Sequence, residues 1–250
     1  MIRDNIKTTA YFDEWIDYDQ GVIQQIQDEL ASNSLSPYGR VQAAYDLAKK
    51  ILDRVIMRYS RGDRLTDFRD DLESLLAVRE QLKLLCDALP PGEQKNRFQY
   101  ERLSFDNYLD FFWWLSLAAC LGMGEAHLSR VIALIDNAGQ DALIDRIAAK
   151  LGDHQRAVSN ELVFPKQYAL LLQALDAPSQ EQSNLVKKFL DSWYKGNKNL
   201  AAWYDNHKGE DTGYVGYWCF EAALVVKLFG IDDSSFRTHP HYPADIVHNT

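Results

Sequence analysis

Residues 108–122, YLDFFWWLSLAACLG, are apolar around most of a helical circumference. A helix without a polar face has to be enclosed, either by lipid or by other helices. Lipid is excluded by length, because the richest run, Phe111 to Met123, falls short of the roughly 20 residues that a spanning helix needs. The segment is therefore expected at the centre of the fold, with other helices packed around it.

The flanking sequence supplies those helices. Apolar spacing is helical nearly everywhere, and no alternating run bounded by turn residues makes a strand. The fold class is all-α, a bundle-like or solenoid-like array of about ten helices with no substantial sheet and no fixed-period repeat. The spacing predicts a first helix from Tyr11 to Ala31 and a second begun by the N-cap pair Ser36-Pro37 and ended at Gly62. On the second helix Val41, Ala44, Tyr45, Ala48, Leu52, Val55 and Tyr59 share one face, opposite Lys50, Asp53 and Met57, which predicts packing on one side. A third helix covers about Thr66 to Leu89, stacking Phe68, Leu72, Leu75, Leu76, Leu82 and Cys86, and stops at Pro90-Pro91-Gly92 before a polar loop. After the apolar segment come helices at Glu125–Asn137, Asp141–Leu151 and Pro165–Leu175, then one begun by a capping box at Ser179 and Gln182. A short helix over Leu200–His207, the loop KGEDTG, and a last helix from Val215 to Phe229 stopped by Gly230 complete the pattern.

A chain of 250 residues divides here into 1–137 and 138–250, with the boundary in the stretch between Asn137 and His154. The net charge of −9 and pI near 5.1 argue against direct nucleic-acid binding, which needs a basic stripe. They suit a basic partner and equally well plain solubility. Cys86, Cys120 and Cys219 lie scattered in apolar helical contexts, as reduced core residues do. The N-terminus lacks the apolar core of a signal peptide, so a cytoplasmic location with no membrane contact is expected.

The run from Tyr214 to Val247, YVGYWCFEAALVVKLFGIDDSSFRTHPHYPADIV, has an aromatic entry, an apolar helix with one acidic residue, a Gly stop, an Asp pair and a Tyr-Pro-x-Asp close. It resembles the C-terminal domain of the PoNi family, immunity proteins against PoNe-type DNase toxins. MIRDNIK at the start, the following YFDEWI, and RYSRGD at Arg58 to Asp63 fit the N-terminal part of the same family. The resemblance implies an α-helical protein that binds and blocks a cognate DNase toxin, with a basic nuclease domain as partner, no cofactor and no chemistry of its own. It also implies a polymorphic toxin delivered by contact-dependent, type VI-like secretion. A homodimer is left open.

Within the signature, Glu221 falls inside the apolar arc that holds Trp218, Ala222, Leu224, Val225 and Leu228. A carboxylate there needs donors, for which Tyr or Trp groups or Arg79 are candidates. It is expected to fix helix packing. Asp232 and Asp233 with Ser234 and Ser235 suit turn capping, toxin contact, or a metal shared with His239 and His241 in a metal-dependent hydrolase. Tyr242, Pro243 and Asp245 are expected to anchor the tail, the ring docking on the last helix and the aspartate capping a turn. Trp193, Tyr194, Trp203, Tyr204, Tyr214, Tyr217 and Trp218 read as core packing, since few Lys or Arg residues are interleaved for base stacking. Acidic candidates for toxin contact are Asp13, Glu14 and Asp17 on the first helix and Asp67, Asp70 and Asp71 at the start of the third, where the helix dipole alone also accounts for them. No nucleophile elbow, phosphate-cradling loop or dinucleotide fingerprint is present. The chain reads as a rigid acidic protein that occludes a nuclease cleft; a helical scaffold with an unrelated partner is the remaining alternative.

Overall fold

A computed structural model describes residues 1–32, 34–135, 137–209 and 212–249. Among them every regular element is helical and there is no strand. The described residues form two compact units, one made of Met1–Arg102 with Asp205–Gly216, the other of Leu103–Tyr204 with the chain from Tyr217 onward.

The first unit is built on α1 (Thr9–Ala31), α2 (Pro37–Arg61) and α3 (Arg69–Asp87), with α4 (Phe98–Glu101) and 3-10 turns at Leu65–Phe68 and Gln94–Arg97. Ser36 starts α2 as expected, its hydroxyl accepting the Gly39 N–H at 3.0 Å with Pro37 in the first turn. The helix is not packed on one side, however. It lies between α1 and α3, so Leu47, Ile51, Ile56 and Met57 are buried along with all of the predicted face except half-buried Tyr45, and Lys50 reaches Asp19 of α1 at 2.7 Å. A one-sided wheel cannot reveal the second neighbour. The segment taken for a polar loop after α3 holds a 3-10 turn and α4, whose Tyr100 is buried.

The second unit contains α5 (Phe105–Cys120), α6 (Glu125–Ile135), α7 (Ala142–Lys150), α8 (Pro165–Asp176), α9 (Ser179–Gly196), α10 (Phe220–Phe229) and α11 (Ala244–Val247). α5 buries almost every residue from Phe105 to Ala118, Trp114 completely. Its partner is α10, apolar around most of its circumference in the same way, with Phe220 to Val226 buried. Two such helices leave no polar face for water, and α6, α8 and α11 pack against one or the other of them.

Three expectations fail locally. The last long helix starts at Phe220, not Val215, because Gly216 has φ 121° and Tyr217–Cys219 pair with the tail: the Cys219 N–H donates to the His241 carbonyl at 2.8 Å. Ser179 begins α9 but does not cap it. Pro178 occupies the cap position, and Gln182 donates instead to the Ala174 carbonyl of α8 at 2.9 Å. Over Leu200–His207 the helix gives way to turns and a 3-10 segment at Asn206–Lys208, with left-handed Asn199 just before the stretch and left-handed Asp205 within it. α6 is described to Ile135, short of the expected end at Asn137.

Candidate interaction surface and the buried polar groups

Glu221 sits in the first turn of α10 with no exposed surface. Trp113 of α5 donates its indole N–H to Oε2 at 3.1 Å, while the Tyr168 hydroxyl of α8 and the Trp193 indole of α9 reach Oε1 at 3.0 and 3.2 Å. Arg79 is not among the donors; it lies over the Tyr45 ring in the first unit. Burial pushes the Glu221 carboxyl above its ordinary value, and its own backbone N–H with Trp193, Tyr168 and Trp113 pull it back in part. The arrangement joins α5, α8, α9 and α10 through one side chain.

A second buried carboxylate, Asp141, was visible in the sequence only as the first residue of a helix. Its Oδ1 accepts the N–H groups of Leu143 and Ile144 and the Tyr108 hydroxyl at 3.2 Å, and its Oδ2 accepts the Val163 N–H at 2.8 Å. Asp145, one turn on, is fully buried and takes Arg156 Nε at 2.6 Å plus the N–H groups of Gly139 and Ser159. These two aspartates fasten residues 152–164 onto α7. Spacing of four on a helix was the available signal; the loop partners had none.

The Asp pair after Gly230 separates by environment. Asp232 is exposed and accepts the Ser234 N–H and hydroxyl at 3.0 and 2.8 Å, the geometry of a turn cap. Asp233 is buried and holds Arg237, the Tyr242 hydroxyl at 3.2 Å and His248 Nε2 at 2.7 Å. Burial works to raise its carboxyl, but Arg237 and His248 outweigh it and the net displacement is downward. His241 turns its Nδ1 to the Tyr217 carbonyl at 3.0 Å, and His239 lies 3.7 Å from Asp191. Among the described residues no three His, Cys, Asp or Glu side chains converge as a metal site would require. Tyr242 is buried, its ring against Phe236 at 5.1 Å and its hydroxyl on Asp233, so the tail folds on itself around that carboxylate. Pro243 precedes α11, which has no side-chain cap, and the exposed Asp245 lies inside its first turn. Trp218 is buried in the extended segment before α10.

The aromatic residues also pack. Trp193 stacks on Trp203 with centroids 5.2 Å apart, and Tyr194 stacks on Tyr204 at 4.7 Å and contacts Tyr217 at 4.8 Å. Tyr214 stands apart in the first unit, donating its hydroxyl to buried Asp4 at 2.6 Å. Nearby, Arg3 donates to the Tyr59 and Asp63 carbonyls, each at 2.9 Å, and the Ser60 hydroxyl donates to the Val215 carbonyl at 2.5 Å. Residues from MIRDNIK, RYSRGD and the aromatic entry of the C-terminal run thus meet in one place.

The acidic candidates for partner contact fall into two kinds. Asp13, Glu14 and Asp17 are exposed on α1, with Asp13 bonded to Arg61 at 2.8 Å. Asp67 and Asp70 are exposed, Asp67 within 3.3 Å of Arg64. Asp71 is buried between Arg54 and Arg58, whose guanidinium groups take one carboxylate oxygen each. Asp71 and Asp233 are thus engaged inside the fold, and the exposed set is Asp13, Glu14, Asp17, Asp67, Asp70 and Asp232. No helix among the described residues is long and apolar enough to cross a membrane.

The fold is shared with protein PA2201 from Pseudomonas aeruginosa, whose crystal structure matches with a TM-score of 0.76 at 17% identity, covering 99% of this chain and 89% of that one. No curated protein matches the sequence. Two family models do, and both describe immunity proteins. Residues 3–133 match the PoNe immunity protein (PoNi) N-terminal family and residues 139–246 the PoNe immunity protein (PoNi) C-terminal family. The chain belongs to the PoNe immunity proteins.

Proposed function

We propose that this chain neutralises a DNase toxin by binding its basic nuclease domain and covering the active-site cleft. Residues 1–137 and 138–250 are, on this reading, its N- and C-terminal PoNi-like domains, and the toxin belongs to a polymorphic, type VI-secreted class met in the cytoplasm. The observation that carries the proposal is the pairing of PoNi family membership with a net charge of −9. Exposed carboxylates such as Asp13, Glu14 and Asp17 attract the same cationic groups that a nuclease offers to phosphates. The buried carboxylates Asp141, Asp145, Glu221 and Asp233 are each engaged by internal donors, which supports recognition by a preformed surface.

The test is inhibition in a defined mixture. The toxin encoded beside this gene is purified and its DNA cleavage titrated with the chain; cleavage should stop at an equimolar ratio. Undiminished cleavage at excess, or growth of toxin-bearing cells deleted for this gene, would refute the reading.

A further inference from the structure

A cleft of about 600 Å³ opens in the second unit, between α6 and the 151–156 turn that follows α7. Its walls are amphipathic. Ile132 and Leu151 supply apolar surface, while Glu125, Asp153 and Arg156 bring charge. Arg156 contributes little net field, because its Nε is bonded at 2.6 Å to fully buried Asp145 and its side chain is 3% exposed. With that pair neutral, although its Arg156 Nη2 has no hydrogen-bond partner among the described residues, the remaining ionisable groups of the lining are the carboxylates of Glu125 and Asp153 and the imidazole of His154, so the cleft is acidic wherever that imidazole is neutral.

Those two carboxylates are available. Glu125 is exposed in the first turn of α6 and, among the described residues, no hydrogen bond or ion pair holds it. Asp153 has only a long 3.5 Å contact with Arg156 Nη1 and keeps 35% of its side chain exposed. The turn that carries Asp153 is nonetheless fixed, since Asp145 holds both Arg156 and the Ser159 N–H, at 3.0 Å. A rigid cleft with an apolar wall, the unpaired carboxylate of Glu125 and the weakly paired one of Asp153 suits one kind of guest: a long side chain with a methylene stem and a cationic head.

We infer that this cleft receives a lysine or arginine side chain projecting from the nuclease, and so anchors the complex through a pocket remote in sequence from the acidic stretches of α1 and α3. The inference rests on the immunity reading and names the contact within it. The stem lies along Ile132 and Leu151 and the head bridges Glu125 and Asp153, displacing the weak Arg156 contact. Such a desolvated, centrally held cation is the kind of contact that dominates interface energy.

Calorimetry of the full chain with the catalytically inactivated toxin encoded beside its gene tests this. Glu125→Lys and Asp153→Lys should each weaken binding about 30-fold, as truncating one partner of a buried charge pair does. Glu181→Lys, a matched reversal in the first turn of α9 outside the cleft, should stay within about twofold. Glu125 has no internal partner, so its variant keeps the fold, which a thermal melt verifies. Hydrogen exchange of wild type should slow at 151–156 in the complex. Wild type that fails to bind overturns the immunity reading together with the inference. Wild type that binds, with both cleft variants binding equally well, overturns the inference alone. So does protection of 151–156 by inorganic phosphate, which would make this an anion site built on Arg156.

Discussion

The backbone carbonyl of Met1 stands where a β-carbon on Gly62 would have to go. Gly62 also holds φ 100°, a left-handed cap for α2 that donates its N–H to the Arg58 and Tyr59 carbonyls. Two separate constraints therefore select glycine at the fifth position of RYSRGD. Gly62→Ala should cost more than the roughly 1–2 kcal/mol of a left-handed non-glycine alone, because the N-terminal segment must also move. A denaturation midpoint equal to wild type would contradict the close approach.

Glu221→Gln should destabilise by about 1–3 kcal/mol, read as a shift in urea midpoint. The three groups around Glu221 use O–H or N–H donors, and a carboxamide replaces one accepting oxygen with a further donor. Oε1 can still serve Tyr168 and Trp193, but an amide nitrogen then faces the Trp113 indole, which has nothing to offer but its own hydrogen. Toxin affinity of the folded mutant should be unchanged, since the site has no exposed surface.

Asp141→Ala removes the acceptor for three backbone N–H groups and the Tyr108 hydroxyl. A lost N-cap costs about 1 kcal/mol and a buried orphaned donor a further 1–3. Proteolysis should then concentrate in 152–164, the segment its Oδ2 secures. Uniform digestion across the chain would argue against that fastening.

Acid should weaken the fold in two stages. Burial pushes His239 and His241 below the ordinary value of 6.5, so their neutral forms are favoured in the native state. Their contribution is whole above pH 6.5 and is lost as pH falls from there through the lower folded values. Asp233, held below the ordinary 3.8 against burial by Arg237 and His248, contributes fully above that value and fails only as pH falls through its lower folded one. Burial raises Glu221 and Asp141, which act in the opposite sense. The difference in melting temperature between wild type and His241→Asn should therefore narrow between pH 7 and 5; a constant difference would show that His241 does not titrate.

Reversing Asp13, Glu14 and Asp17 together to lysine should slow toxin association about tenfold at low salt, with little change in dissociation. Stopped-flow rates at two ionic strengths distinguish steering from contact. A change confined to the dissociation rate would place these residues in the bonded interface instead.

The helices were legible wherever periodicity spoke alone. α5 and its burial follow from residues 108–122, and the Ser36-Pro37 start of α2 follows from cap chemistry. The burial of Glu221 was readable from its wheel position even though that wheel wrongly took in Trp218, which lies in the extended segment created by Gly216. Its donors were not readable, because Trp113 is 108 residues away. The same distance problem hid the burial of Asp71, whose acidic neighbours suggest a solvated helix start while Arg54 and Arg58 come from another helix. Local grammar misled at Ser179 and Gln182, where the glutamine found a carbonyl on α8 and the box never closed.

The return of Tyr214 and Val215 to Asp4 and Ser60 sets a schedule for biosynthesis. The helices α1 to α3 leave the ribosome early, yet the hydroxyl that Asp4 awaits is translated some two hundred codons later. Nascent chains stalled before residue 216 should therefore carry an incomplete first unit, and a gene split between the two family matches should yield an N-terminal fragment that needs its other half supplied in trans.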